Sequence, residues 1–259
     1  MNFFRVFRSF LPNVLKIPQN PAQRILAATG YFYLRTRLAV EGASIPDIGL
    51  YRPLFSPWEG EADFKRYYDP VRPYTMVSPD RCWILLHLMR QALPLKGDFA
   101  EFGVFRGGTA LLAAEVLRDA HDNRPLHLFD SFAGLPVPST GETFVKGDFG
   151  ETSEAAVRGL VAPTGANVEI HAGYMPDTFQ NTNISRLAYG YVDVDLYKSV
   201  LDCIEFVYPR LVAGGILVFD DYGFPSCARV REAVDKAFAA LPENPIYLPT
   251  GQALVIKLP

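Results

Sequence analysis

Leu187-Ala-Tyr-Gly-Tyr-Val-Asp193-Val-Asp195-Leu-Tyr-Lys-Ser199 is an apolar run that stops abruptly at two carboxylates. Such a run, apolar without alternation, fits a strand buried on both faces. Leu211-Val-Ala-Gly-Gly-Ile-Leu-Val-Phe-Asp220-Asp221-Tyr-Gly223 repeats the pattern, with a Gly-Gly turn, a β-branched and aromatic run, then two adjacent acids. Tyr197 to Arg210, between them, reads as a helix. Two buried strands joined through a helix run parallel, so all four Asp side chains converge on the crevice where open α/β sheets bind ligands. Crowded acids repel one another unless a cation holds them. Hard oxygen donors suit Mg²⁺ or Ca²⁺, and no neighbouring Cys or His set argues for zinc. Each acid taken singly has a structural alternative: Asp193 or Asp195 caps the helix that begins near Leu196, and Asp221 enters a turn with Gly223.

Upstream, Gly97-Asp-Phe-Ala-Glu101-Phe-Gly103-Val-Phe105-Arg-Gly107-Gly108-Thr109 reads as strand, glycine-rich turn and helix start. Glycine lets a ligand approach the backbone, and the helix N-terminus favours negative charge. The spacing is not the dinucleotide fingerprint, because Phe105 occupies the place of the second glycine. The next strand, Leu126-His-Leu-Phe-Asp130-Ser131, ends in an acid placed to accept from ribose hydroxyls or to cap a turn through Ser131. Before these, Ser78-Pro79-Asp80 opens a helix to about Leu93, with Ile84, Leu85, Leu88 and Met89 as its inward stripe. After them come a polar loop over residues 136–150, read as a lid or a plain surface loop, a helix near Ser153 to Val161 and a strand near Asn167 to His171. His171 reads as a satisfied core residue. A helix from Cys227 to Leu241 and a hairpin through Pro249-Thr-Gly251 close the chain. The pattern predicts a doubly wound sheet with one antiparallel strand.

The chain's 259 residues suit one domain with an N-terminal extension. A net charge of -3 and the lack of a basic aromatic platform argue against nucleic acid as a partner. Cys82, Cys203 and Cys227 are too dispersed for a disulfide framework or a metal knuckle and read as reduced core thiols. Residues 1–40 hold Arg5, Arg8, Lys16, Arg24, Arg35 and Arg37 but no acid, and Phe alternates with Arg over the first ten positions. Met1 to Lys16 suits peripheral contact with an anionic membrane, or packing on its own domain or a second subunit, and Ala22 to Val40 reads as a second helix. Gly42 to Pro73 reads as irregular structure with one short helix.

Thr75-Met-Val-Ser78, Ala100-Glu-Phe-Gly-Val-Phe-Arg-Gly-Gly-Thr109, Phe129-Asp-Ser-Phe-Ala-Gly-Leu-Pro136, Val192-Asp-Val-Asp-Leu-Tyr-Lys-Ser199, Tyr208-Pro-Arg-Leu211 and Gly214 to Gly223 together resemble the macrocin O-methyltransferase family. Those enzymes methylate sugar hydroxyls of antibiotics and related glycosides, using S-adenosylmethionine and Mg²⁺. The resemblance runs from Tyr74 to Pro259. It implies a class I methyltransferase fold: a doubly wound, mostly parallel seven-stranded sheet with helices on both faces. Residues 74–259 form this domain and residues 1–73 an N-terminal helical extension. It further implies that Glu101, Gly103, Phe105, Gly107, Gly108 and Thr109 surround the methionine and ribose of S-adenosylmethionine. Asp130 accepts from the ribose hydroxyls beside Ser131, Met76 and Val77 cover the cofactor, and Gly173 and Tyr174 lie near the adenine. Asp193, Asp220 and Asp221 match the metal ligands, and Asp195 the carboxylate proposed as general base. Catechol-type relatives place a lysine three positions after their first metal Asp. Leu196 stands there instead, which argues against a lysine mechanism. The function so implied is methylation of a glycoside or glycolipid by a cytoplasmic homo-oligomer, with the basic N-terminus available for membrane contact. Methylation of a small phenol, or cofactor binding without transfer, are the alternatives. Departures from the family fall at 136–150 and in the N-terminal region, so a macrolide acceptor does not carry over.

Overall fold

The computed structural model describes residues 56–259, and in it the buried runs read from the sequence become strands of one sheet. β1 (Asp98–Phe102), β2 (Leu126–Asp130), β3 (Val168–Ala172), β4 (Leu187–Val192) and β5 (Leu211–Phe219) pair in parallel. β6 (Ile246–Tyr247) and β7 (Ala253–Ile256) form the closing hairpin, and β7 joins β5 antiparallel. The seven strands lie in the order β3-β2-β1-β4-β5-β7-β6. The order reverses between β1 and β4, so the crevice opens where the strands carrying Gly103 and Asp193 end. Every residue of β4 is buried, as its unbroken apolar run requires.

The helices cover both faces. α1 (Pro57–Gly60), α2 (Ala62–Val71), α3 (Pro79–Ala92), α4 (Gly108–Asp119) and α5 (Glu154–Val161) pack on one face, whose core includes Phe64, Leu85, Leu112, Phe99 and Tyr189. α6 (Tyr197–Val207) and α7 (Ala228–Phe238) cover the other, around Phe102, Phe129, Phe206 and Phe219. Side chains alternate between these layers along each strand, so Phe99 and Phe102 serve different cores. Of the expected N-terminal extension over residues 1–73, residues 1–55, with the membrane or subunit contact, lie outside the described residues, and residues 56–73 pack on the domain instead of standing apart from it. No helix among the described residues is long and apolar enough to cross a membrane.

Two local expectations change. The connector before Pro73 is more helical than its prolines implied: Pro57 opens α1 at the first turn, and Pro70 falls in the last turn of α2. Phe64, Tyr67 and Val71 of α2 join the main core, and Asp119 on α4 accepts from the Tyr67 hydroxyl at 2.8 Å. In α3 the buried stripe is Cys82, Leu85, Leu86, Met89 and Ala92, while Ile84 and Leu88 are only half-buried. The helix is turned so that Arg81 faces the crevice, which rotates its apolar face by about one residue.

Gly103, at φ +87°, is fixed by close approach: an added Cβ would lie 1.8 Å from the Asp193 carbonyl oxygen. Gly103→Ala is therefore expected to lower the unfolding free energy by about 2–4 kcal/mol, combining overpacking with left-handed strain. Gly159→Ala in α5, where the added methyl meets open space, is expected to leave it unchanged or raise it by up to about 1 kcal/mol. Urea denaturation followed by circular dichroism compares the two.

Candidate active site

The carboxyl ends of β1, β2, β4 and β5 open into a cleft of about 330 Å³. The glycine-rich turn is its floor. Gly107 is left-handed at the N-terminus of α4, and a Cβ on Gly108 would lie 2.6 Å from that of Thr75. Only bare backbone lets the 74–77 segment cross there. Phe105, in the place of the second fingerprint glycine, keeps the left-handed turn with φ +50°. Asp130 braces this turn. One carboxylate oxygen accepts from the amides of Val104 (2.8 Å) and Phe105 (2.9 Å), and the other accepts from Phe132 (2.7 Å). The capping alternative is thus realised, while lone pairs on Asp130, which lines the cleft, stay available to a ligand.

Met76, Val77, Gly103, Phe105, Gly108, Thr109, Asp130, Ser131, Tyr174 and all four Asp residues line this cleft. Glu101, Gly107 and Gly173 do not. Glu101 lies a layer deeper, 3% exposed, where it accepts from the Thr109 hydroxyl at 2.6 Å. Burial pushes its carboxyl up to about 8 despite that hydrogen bond. Gly107 packs against Val157 and Leu160 of α5, and the Gly173 amide donates to the Asp130 carbonyl at 2.9 Å.

At the other end of the cleft, oxygens of Asp193, Asp220 and Asp221 come within 4.8 Å of one another. The Tyr191 hydroxyl donates to Asp193 at 3.1 Å, Gln252 donates to Asp220 at 2.9 Å, and Arg81 forms an ion pair with Asp220. One oxygen of Asp221 is buried without a partner. Burial, followed by repulsion from neighbouring carboxylates, holds Asp193 and Asp221 well above the usual carboxylate range. Asp195 is pushed up to about 8 by burial and by Asp193 and Asp220, adopts φ +59°, and accepts from the Cys227 thiol at 3.8 Å. Negative charge in excess of its one guanidinium counter-ion, an orphaned carboxylate oxygen and all-oxygen donors fit a hard divalent cation.

Neither Asp193 nor Asp195 caps α6. Glu142, from the 136–150 loop, accepts from the Tyr197 amide at 2.6 Å and supplies the missing cap. The same loop is tied across the cleft through Thr143 to the Ser226 carbonyl (2.8 Å) and Arg229 to the Thr140 carbonyl (2.9 Å). Its Phe144 and Phe149 face the cleft. Arg81, Gln252 and Glu142 carried no signal in the sequence. Arg81 sits in the first turn of α3, and its side chain donates to the Ser78 hydroxyl and the Met76 carbonyl and pairs with Asp220.

A sequence model described as macrocin O-methyltransferase matches residues 61–240. The chain belongs to the macrocin O-methyltransferase family. Members similar to it include the mycinamicin III 3''-O-methyltransferase of Micromonospora griseorubida, 31% identical over 182 residues, which span 64% of this chain and 70% of that one. A Streptomyces olivaceus enzyme named for the 4'-O-methylation of a rhamnosyl tetracenomycin is 31% identical over 179 residues, 64% of this chain and 67% of its own. The structure of the O-methyltransferase NovP superposes with a TM-score of 0.64 at 25% identity, covering 72% of this chain and 83% of NovP. The fold is that of class I O-methyltransferases, and the protein is an O-methyltransferase.

Because the Glu101 carboxyl titrates higher in the folded protein than in the unfolded chain, its contribution to stability is full below about pH 4.5. It is lost as pH rises toward about 8. Glu101→Gln, which keeps an acceptor for Thr109, is expected to flatten the fall in stability between about pH 5 and 8 relative to wild type; denaturation at several pH values measures the slope. Glu142→Ala is expected to cost about 0.5–2 kcal/mol through loss of the α6 cap, read from the urea midpoint.

Proposed function

We propose that the chain transfers the methyl group of S-adenosylmethionine to a sugar hydroxyl of a glycoside or glycolipid, with Mg²⁺ held by Asp193, Asp220 and Asp221 and Asp195 as general base. One observation carries the reading: four carboxylates, Asp220 and Asp221 buried and Asp193 and Asp195 half-buried, one of them with an orphaned oxygen, share a cleft with the glycine-rich turn and Asp130. The relatives' names, which include a rhamnosyl acceptor, support a sugar hydroxyl. Met76, 69% exposed, lines the cleft together with Leu135, Pro136 and Phe144, and this apolar lining suits a sugar carried on an apolar body.

The residues divide the work. Gly103 and Gly108 bring backbone against the donor, Asp130 offers acceptors for ribose hydroxyls, and Met76 and Val77 close over it from the α3 side. S-adenosylmethionine supplies a methyl on a sulfonium, which needs no covalent help from the protein. Asp193, Asp220 and Asp221 would hold a divalent cation, which would supply a lowered alcohol pKa and an oriented oxygen there. Asp195, two residues beyond Asp193 on the same turn, takes the hydroxyl proton on its carboxylate. Arg81 and Gln252 hold Asp220 in one orientation, and Phe144, Phe149 and Phe224 exclude water. Alignment of this kind is worth on the order of 7–11 kcal/mol in well-oriented intramolecular reactions.

Calorimetric titration of S-adenosylmethionine and then Mg²⁺ into metal-stripped protein, with methyl transfer to a glycoside panel, tests the reading. Asp221→Ala is expected to lose the metal site and turnover while its cofactor affinity stays within a few-fold of wild type. Asp195→Asn is expected to keep both ligands and lose about 10²–10⁴-fold in kcat. Undiminished turnover in excess chelator would remove the cation from the proposal, and transfer to phenols but not to glycosides would replace the acceptor.

A further inference from the structure

A second cluster of metal-binding side chains lies outside the cleft. His127 on β2 faces Glu169 and His171 on the neighbouring edge strand β3, and none of the three lines the cleft. His127 is 3% exposed, and its two ring nitrogens have different partners. Nδ1 lies 3.1 Å from Nε2 of His171 and 3.4 Å from a Glu169 oxygen, while Nε2 lies 3.2 Å from an Asp98 oxygen. Phe129 stacks on His171 with ring centroids 4.3 Å apart, so the second imidazole is also oriented by packing.

Two facing imidazole nitrogens can share one proton. That accounts for the pair of histidines but leaves a carboxylate converging on the same point unexplained. Donors around a tetrahedral Zn²⁺, with bonds of about 2.0–2.2 Å, lie about 3.3–3.6 Å apart. The separations here are close to that, and all three donor atoms fall within 4.8 Å of one another. With Nε2–H of His127 donating to Asp98, the bare nitrogen is Nδ1, pointed at His171 and Glu169. A carboxylate in the position of Asp98 fixes the tautomer and raises the basicity of a ligating imidazole.

We propose that His127, His171 and Glu169 bind a Zn²⁺-class divalent ion at the sheet edge, with Asp98 as the supporting carboxylate. The donors, two imidazoles and a carboxylate, suit zinc rather than Mg²⁺, and half-exposed Glu169 leaves a fourth position open to water. The ion would tie β3, an edge strand, to β2 and so steady the Gly173-Tyr174 turn that follows β3 into the cleft.

The test is titration of Zn²⁺ into the untagged, metal-stripped full chain in large excess of Mg²⁺, which fills hard-oxygen sites and competes poorly for imidazole. Wild type is expected to bind one Zn²⁺ with a rise in Tm. His171→Ala is expected to lose that Zn²⁺ and the rise, and Asp98→Asn to weaken binding by about 10–100-fold. Glu169→Gln, at an exposed position where misfolding is not at issue, is expected to weaken it by more than about tenfold. Absence of Zn²⁺ binding in wild type would overturn the proposal. So would unchanged affinity in Glu169→Gln or in a folded His171→Ala, which would move the ion to Asp195, Asp221 and Cys227.

Discussion

Asp193, Asp195, Asp220 and Asp221 stand where two neighbouring parallel strands end, the last two buried and the first two half-buried, with one guanidinium among them. Carboxylates in such a place lose hydration and repel one another, and their raised pKa values measure that cost. The surrounding structure is arranged around it. Gln252, brought beside Asp220 by the β5–β7 register, and Arg81, aimed across from α3, restrain one carboxylate. Tyr191 restrains another from within β4. Asp221 keeps an oxygen without a partner, which a fold selected for stability alone would not leave.

The donor end of the cleft is organised by the same economy of backbone. Gly103 can lie against the Asp193 carbonyl only because it lacks a Cβ, so the glycine-rich turn and the acid pair are in contact rather than merely adjacent. Asp130 then ties the turn to β2 through the Val104 and Phe105 amides. Displacement at either end therefore reaches the other through bonds a few ångströms long. The strap over residues 136–150 adds a third restraint, since Glu142 caps the helix that begins just after Asp195. The 136–150 loop thus bears directly on the turn that carries the proposed base.

Membership of the macrocin O-methyltransferase family goes with the cleft's chemistry, and the sheet edge carries a donor set apart from the cleft. The cleft is lined by the glycine-rich turn and the aspartates, whereas His127, Glu169 and His171 meet on a strand pair outside it. The same chain thus presents two donor sets of different chemistry, one all oxygen and one with two imidazoles.

The sequence by itself determined the strands, most of the helices and the crevice. Unbroken apolar runs between helices can only be buried parallel strands, and acids or glycines at their ends are read in register with those runs. Ser153, the β6–β7 turn and the placement of Asp193, Asp220 and Asp221 in one cleft were legible for that reason. What the tertiary structure alone decided involves residues far apart in the chain whose local patterns say nothing of their partners. Arg81 and Asp220 are 139 positions apart, Glu142 and Tyr197 are 55 apart, and His127 and His171 are 44 apart. His171 looked solitary because its partner is supplied by strand pairing, and the turn of α3 that aims Arg81 into the crevice follows from packing against α2 and the sheet. Periodicity encodes which face of an element is apolar; which polar group meets which across the fold is set by register and crossing geometry, which no single stretch of sequence contains.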